Sequence, residues 1–332
     1  MRFRSSTFNY FLSLVILIFM CRCSSNTTEN KKEQIRILTG AAPENPTKKM
    51  WGPPDTTTIQ DDEQGELIKY GKELVVNTSA FLGTKGTVAH LSNGMNCQNC
   101  HLNAGTKLYA NSFSAVHSVY PKFRARSGTV ENLEKRINDC MERSLNGKKL
   151  ADTSKEMRAM VAYINWVGKD VKKGEVPEGA SVIDLPYLER ASDPKKGKIA
   201  FEVNCVSCHN KNGDGKLNDD STGYVYPPLW GANSYNVSAG MYRLSRLAGF
   251  IKSNMPYLKS SFDNPILTDE EAWDIAAYIS TMPRPEKRFS KDWPDISKKP
   301  IDHPFGPYSD KFSESRHKFG PYKELQQSAF KK

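Results

Sequence analysis

After residue 23 the sequence has no long hydrophobic run and no dense block of basic residues. Without an apolar stretch of about 20 residues, this part of the chain is not expected to contain a membrane-spanning helix. Lys and Arg exceed Asp and Glu, 47 to 37, but they are spread along the 332 residues, so nucleic acid is not an expected partner. The net charge of +10 suits an anionic small molecule, an acidic partner or simply a solvated surface.

The chain contains seven cysteines, an odd number that cannot pair completely in a disulfide framework. Two of them precede residue 24, four belong to two Cys-x-x-Cys-His motifs, and Cys140 stands alone. A zinc site would need further Cys or His pairs at metal-binding spacing, which the sequence does not supply. The cysteines therefore indicate two sites of one kind and one cysteine with a separate role.

The first 23 residues have the pattern of an export signal. Arg2 and Arg4 precede an apolar run over 11–20, which is too short for a spanning helix. We therefore expect an exported, periplasmic protein. Cys21 or Cys23, each close to polar residues, predicts attachment to the membrane through a lipidated cysteine.

The residues just before these cysteines match a lipidation signal poorly. A small residue is expected before a lipidated cysteine, but Met20 and Arg22 occupy those positions. Ordinary cleavage of the signal is therefore the alternative. The polar composition of 24–62 predicts a tether in the lipidated form.

Residues 97–101 and 205–209 both read Cys-x-x-Cys-His. This spacing lets two thiols add to the two vinyl groups of haem while the adjacent histidine reaches the iron. Two copies in a chain with an export signal indicate two covalently attached haem groups. The predicted attachment residues are Cys97, Cys100 and His101 in the first motif and Cys205, Cys208 and His209 in the second.

A weak internal duplication accompanies the two motifs. Each half has a first helix, a motif and a closing helix: 65–82, 97–101 and 153–167 in one, and 194–203, 205–209 and 268–281 in the other. Both closing helices are predicted to start with a capping box, Thr153 with Glu156 and Thr268 with Glu271.

The second half offers a clear distal ligand. Met255, followed by Pro256 and preceding the closing helix, lies where class I cytochrome c domains provide their axial methionine. The carbonyl that accepts the His209 ring N–H is predicted to come from the segment 226–229, which contains Pro227 and Pro228.

The first half has no such methionine-proline segment. Cys140 falls in the interval between His101 and the closing helix, from which a distal ligand is expected. A thiolate ligand there would lower the potential of the iron. From these residues alone, Met141 and His117 compete with Cys140 for this role.

These features predict a mostly α protein with two tandem, class I-like cytochrome c domains and an extended C-terminal tail. The expected organisation is an export signal over 1–23, a tether over 24–62, the first domain over 63–175, a linker over 176–192, the second domain over 193–284 and a tail packed on the body over 285–332.

Three segments carry a more specific pattern. They are Asn-Cys-Gln-Asn-Cys-His-Leu at 96–102, Tyr-Pro-Lys-Phe-Arg-Ala-Arg-Ser-Gly at 120–128, and the stretch 136–147 around Cys140. Together they resemble the diheme thiosulfate dehydrogenases of bacterial sulfur metabolism. The second haem domain and the tail, in which Phe-Gly-Pro-Tyr occurs twice, are similar too, so the resemblance covers most of the chain from about residue 60.

The resemblance implies that Cys140 is the distal ligand of the first haem and that Arg126, Arg136 and Ser144 line a substrate cavity beside it. It also implies that two thiosulfate ions are joined to give tetrathionate, with the reverse reaction open. Electrons would pass from the first haem to the second and then to an external redox carrier, such as a cytochrome. We hypothesise that the Cys140 sulfur leaves the iron and forms a transient sulfur–sulfur adduct with substrate.

The chain departs from part of the family at the second haem. Some members place a lysine immediately before the axial methionine and exchange ligands on reduction. Here Asn254 holds that position and the nearest lysine is Lys252, so ligand exchange is not expected. Two other functions stay open: a non-catalytic diheme electron carrier, and a cytochrome that conjugates sulfur to a carrier protein.

Overall fold

The computed structural model describes residues 50–329. The predicted export signal, Cys21, Cys23 and most of the predicted tether lie outside the described residues. Within 50–329, no helix is long and apolar enough to cross a membrane. The domain boundaries predicted above stay a prediction.

Helices form most of the regular structure. In the first half they are α1 (Glu63–Val76), α2 (Thr78–Leu82), α3 (Leu102–Gly105), α4 (Val116–Val119), α5 (Leu133–Arg143) and α6 (Lys155–Val167). In the second half they are α7 (Pro194–Asn204), α8 (Val206–His209), α9 (Leu244–Asn254), α10 (Asp269–Thr281), α11 (Glu314–Phe319) and α12 (Lys323–Ala329). Single 3₁₀ turns span Thr56–Thr58, Cys97–Asn99, Gly240–Tyr242 and Ile296–Lys298.

The duplication seen in the sequence corresponds to two similar helix pairs. Helix α1 packs on α6, and α7 packs on α10. A glycine allows the close approach in each pair, because a Cβ atom at Gly71 would collide with the Ala159 carbonyl and one at Gly197 with the Asp274 carbonyl. The first and closing helices of each half therefore cross at a glycine.

Both closing helices have side-chain caps, but one cap differs from the prediction. The capping box of Thr268 and Glu271 is confirmed, with Glu271 N donating to Thr268 Oγ1 over 3.1 Å and Thr268 N to Glu271 Oε2 over 2.8 Å. The predicted box of Thr153 and Glu156 is wrong. Ser154 is the N-cap instead and accepts from Met157 N over 3.1 Å, while Glu156 accepts from the Tyr70 hydroxyl.

Two antiparallel hairpins interrupt the helices. Strands β1 (Lys122–Arg124) and β2 (Thr129–Glu131) pair just before α5. Strands β3 (Lys216–Leu217) and β4 (Tyr224–Tyr226) follow the second motif. The first hairpin leads directly into the helix that carries Cys140, so it positions basic side chains beside that helix.

Each half has its own hydrophobic core, and the tail contributes to the second. The first core includes Leu74, Met157, Met160 and Tyr163. The second includes Phe201, Leu244, Trp273, Tyr322 and Leu325. Because Tyr322 and Leu325 come from the tail and are 2% and 1% exposed, the tail is part of the second core.

Candidate functional site

The first motif lines a cavity of about 300 Å³. Cys97, Cys100 and His101 lie on one side, and residues of α5 lie on another. His101 Nδ1 is 2.6 Å from the Asn111 carbonyl oxygen. This contact fixes the orientation of the ring and leaves the other ring nitrogen free for the cavity.

Helix α5 brings three of the predicted residues to this cavity. Arg136, Cys140 and Ser144 are spaced by four residues, so they share one face of the helix, and all three line the cavity. The helix starts at the N-cap Asn132, whose side chain accepts from Lys135 N over 3.0 Å. Ser144 is the C-cap residue that ends it.

Cys140 has an environment that favours its thiolate. Burial alone would raise the pKa of Cys140, but the Arg136 guanidinium and the His101 ring outweigh it and lower the pKa to about 7. The same attraction raises the pKa of Arg136 above its ordinary value. In contrast, burial raises the pKa of Cys97 to about 11 and that of Cys100 to about 12. Cys140 therefore differs chemically from the two cysteines of the motif.

The two competing ligands are placed differently. His117 is exposed, its ring is 3.3 Å from the Asn165 amide oxygen, and it does not line the cavity. Met141 does line the cavity, but it is 1% exposed and packs within the first core. The His101 ring lies close enough to Cys140 to help lower the pKa of its thiol.

Arg126 does not line this cavity. Its Nη1 donates to the Ser238 carbonyl over 3.1 Å, and its guanidinium lies 5.5 Å from the centre of the Trp293 ring. Burial lowers the pKa of Arg126 to about 10, with the neighbouring Arg143 as the next cause. Arg126 thus connects the loop after β1 to the tail and to the segment around Ser238.

Among the polar residues of the cavity that sequence reasoning missed are Tyr120, Lys122 and Arg124. Lys122 and Arg124 alternate along β1 with the exposed Phe123, so both point to the cavity side of the strand. The period-two alternation of basic residues in this segment was the signal that could have identified them. The Tyr120 hydroxyl is buried and has no hydrogen-bond partner among the described residues.

The second motif lines a separate cavity of about 360 Å³ together with Met255. His209 Nδ1 is 2.9 Å from the Pro227 carbonyl oxygen, so the predicted contact with the 226–229 segment is confirmed. Burial lowers the pKa of His209. The neutral ring with one nitrogen tied to a carbonyl suits an axial ligand.

Neither residue noted before Met255 offers a free amine. Asn254 is fully buried, and its Nδ2 donates to the Tyr109 and Phe250 carbonyls over 3.0 and 3.1 Å. Lys252 Nζ donates to the Leu267 carbonyl over 2.8 Å and is 2.7 Å from an Asp269 carboxylate oxygen. These contacts agree with the expectation that ligand exchange does not occur at this site.

The two cavities adjoin. Cys100 of the first motif lines both of them, as do Met95 and Asn96. Cofactors held in the two cavities would therefore lie close together, as electron transfer between them requires.

The donor sets fit haem c. In each cavity two thiols and a tethered histidine share a lining with many apolar side chains, and the sulfur of Met255 or of Cys140 is available as a second ligand. Iron with such ligands supplies one-electron oxidation and reduction.

Comparisons with known proteins give the same class. The model described as "SoxA/TsdA, cytochrome c domain" matches residues 87–172, and the model "Cytochrome c" matches residues 194–283. The protein is a diheme c-type cytochrome with two covalently bound haem c groups. It is 40% identical over 259 residues to the thiosulfate dehydrogenase of Psychrobacter arcticus, covering 77% of this chain and 75% of that one. The chain belongs to the thiosulfate dehydrogenase family.

A further relative and a solved structure agree. The thiosulfate dehydrogenase of Allochromatium vinosum is 38% identical over 236 residues, covering 70% of this chain and 83% of that one. The structure of thiosulfate dehydrogenase (TsdBA) from Marichromatium purpuratum, in its as-isolated form, superposes with a TM-score of 0.66 at 30% identity. This match covers 75% of the present chain and 52% of the solved one, so the present chain spans about half of that protein.

Proposed function

We propose that this protein oxidises two thiosulfate ions to tetrathionate and passes the two electrons to an external redox carrier. The observation that carries the proposal is the position of Cys140, which faces His101 across the first cavity and lies beside Arg136. A non-catalytic electron carrier has no need of a polarised cysteine in a basic cavity.

The cavity suits a small sulfur-containing dianion. Lys122, Arg124 and Arg136 line it. Among residues 50–329, Arg124 is the one of these three with an ion pair, between its Nε and a Glu131 carboxylate oxygen at 4.0 Å, while Asp139 and Glu131 attract Arg136 from a longer distance. Guanidinium groups bind the oxygens of sulfonate-like anions through charge-assisted hydrogen bonds. These fixed cations would also offset the repulsion between two dianions that must meet.

The proposed haem attachment is based on the residues that line the two cavities. Cys97 and Cys100 would hold one haem and Cys205 and Cys208 the other, with His101 and His209 as proximal ligands. Cys140 and Met255 would be the distal ligands, because each lines the cavity of its own motif. When bound, the two haems together can take up two electrons, one each.

The proposed reaction takes place in two balanced steps at the Cys140 sulfur. In the first, the Cys140 thiolate and the terminal sulfur of one thiosulfate form a sulfur–sulfur bond, and the two electrons released go to the external redox carrier. In the second, the terminal sulfur of another thiosulfate attacks the adduct at the sulfur bonded to Cys140, and the bond between that sulfur and the Cys140 sulfur breaks. Tetrathionate is released and the Cys140 thiolate returns. Arg136 would stabilise the thiolate in both steps, and Ser144 would donate a hydrogen bond to substrate. Arg126 would act from behind the cavity, by holding the loop that follows β1.

We also propose that the protein is exported to the periplasm and anchored there through a lipid on Cys21 or Cys23. The support is the pattern of the first 23 residues and the polar composition that follows them. Mass spectrometry of the mature N-terminus tests the anchor: a diacylated cysteine supports it, and an unmodified cleaved terminus rejects it.

The test of the catalytic proposal is the variant Cys140→Gly. It should retain two covalently attached haems and lose thiosulfate-dependent reduction of an artificial acceptor. Cys140→Ser, which keeps a polar atom at the same place, serves as the matched control for packing and should be equally inactive. Full activity in either variant would remove Cys140 from the mechanism.

A further inference from the structure

Arg284 is a buried arginine that has no anionic partner among residues 50–329. It is 8% exposed, and its Nη2 donates to the Ile279 carbonyl over 3.0 Å. Its Nε and Nη1 are both buried and have no hydrogen-bond partner among residues 50–329. In that part of the chain no carboxylate forms an ion pair with it. A buried guanidinium with two unused N–H groups carries a large desolvation penalty.

Two other arginines, the buried Arg143 and the half-buried Arg243, do have carboxylate partners. Arg143, 5% exposed, binds both carboxylate oxygens of Asp292, and Arg243 binds the buried Asp302. Arg284 has no such partner among residues 50–329, so an anion from outside the polypeptide would satisfy its charge.

The surroundings of Arg284 point to the second cavity. Its guanidinium lies between the rings of Tyr235 and Tyr242, 4.3 and 4.5 Å from their centres. Tyr235 and Ile279, which contact Arg284, both line the cavity that contains His209 and Met255. The buried Tyr235 hydroxyl also has no hydrogen-bond partner among the described residues. Tyr235 thus lies at the wall of that cavity, and the unused donors of Arg284 lie directly behind its ring.

Haem carries two propionate carboxylates on an otherwise apolar ring. In a cavity whose lining is mainly apolar, these carboxylates are the groups that require buried donors and a counter-charge. We propose that Arg284 and Tyr235 bind a propionate of the haem held in the second cavity. This inference rests on the haem placement given under the proposed function and adds the residues that bind its carboxylate.

A consequence for the redox potential follows. A guanidinium beside the carboxylate adds positive charge near the iron and favours the ferrous state. Removing that charge should lower the midpoint potential of the methionine-ligated haem and leave the other haem nearly unchanged.

The direct test is a crystal structure of the haem-loaded protein. We expect a propionate oxygen at about 3 Å from Nε or Nη1 of Arg284 and from the Tyr235 hydroxyl. The proposal is overturned if these atoms contact only water, a different anion or a protein carboxylate.

The solution test is spectroelectrochemical titration of Arg284→Gln. The reduction equilibrium of the second haem should fall about tenfold, which is about 59 mV for one electron. Arg284→Lys should restore part of the shift. Arg288→Gln, which removes a charge from an exposed arginine four residues away, should leave both potentials unchanged. An unchanged potential in Arg284→Gln contradicts the proposal.

A second variant covers the case in which Arg284→Gln does not fold. Tyr235→Phe removes only the hydroxyl, and the potential of the second haem should fall in the same direction. Haem content and thiosulfate turnover of the unmodified protein separate this inference from the proposed function. If the unmodified protein has two haems and normal turnover but the potentials of the variants do not shift, only the propionate site is rejected. If the unmodified protein binds no haem, the propionate site and the proposed function are both rejected.

Discussion

Arg143 and Asp292 form a two-point ion pair that ties the tail to the helix carrying Cys140. Arg143 Nη1 donates to Asp292 Oδ2 over 2.7 Å, and Nη2 donates to Oδ1 over 3.0 Å. The guanidinium also lies 3.8 Å from the centre of the Phe289 ring. A segment of the tail therefore holds α5 one turn after Cys140.

Asp292→Asn should destabilise the protein by about 3 kcal/mol, because it leaves the Arg143 charge buried without its main partner. Denaturant unfolding of the haem-loaded variant measures the loss. Glu286→Gln, which breaks an exposed pair with Arg288, is the control and should change stability by less than about 1 kcal/mol. Equal stability of the two variants would remove the proposed role of the tail contact.

Arg136→Gln should lower kcat/KM for thiosulfate by at least about tenfold, equivalent to about 1.4 kcal/mol of transition-state stabilisation. The reason is that Arg136 both attracts the dianion and stabilises the Cys140 thiolate. Steady-state kinetics checks this, with the exposed Arg158→Gln as a control for lost charge. If both variants lose activity equally, the effect is general and not due to the cavity.

Tyr120→Phe should raise KM for thiosulfate about fivefold while leaving the unfolding free energy nearly unchanged. The hydroxyl has no protein partner to lose, so its removal costs little in the free protein, whereas a hydrogen bond to substrate is worth about 1 kcal/mol. Kinetics and unfolding of the same preparation measure the two effects. A variant with an unaltered KM would show that this hydroxyl does not contact substrate.

The decrease in the unfolding free energy at low pH should depend on Asp302. Burial alone would raise the pKa of Asp302, but Arg243 and the Ser245 hydroxyl lower it below its ordinary value. The folded protein therefore binds fewer protons than the unfolded chain as the pH falls through the region below about 4, and stability decreases there.

Asp302→Asn should lose about 3 kcal/mol at neutral pH and show a weaker decline toward low pH. Unfolding free energies measured from pH 7 to 3 test this, with the exposed Asp263→Asn as control. If the unfolding free energy of Asp302→Asn falls toward low pH as steeply as that of the unmodified protein, Asp302 is not responsible for the acid dependence.

The parts that sequence could predict depend on local spacing. The Cys-x-x-Cys-His motif sets its own geometry, and a spacing of four residues places Arg136 and Cys140 on one helical face. The Thr268 cap also follows from a short pattern.

The remaining features depend on contacts between distant residues. Arg143 and Asp292 are 149 positions apart, and nothing near either residue indicates the other. Arg126 faces the tail because Trp293 and Ser238 surround it, although the family resemblance implied a place in the cavity. At the start of α6, two adjacent hydroxyl residues were both suitable caps, and only the structure distinguished Ser154 from Thr153.

The central claim is the oxidation of thiosulfate to tetrathionate, and it is tested most directly by measuring reaction stoichiometry with the purified, haem-loaded protein. With an artificial electron acceptor, two thiosulfate ions should disappear for each tetrathionate formed and for each two electrons accepted, and a reduced donor should drive the reverse reaction. No turnover in either direction, from a protein with two confirmed haems, would contradict the account and leave a diheme electron carrier.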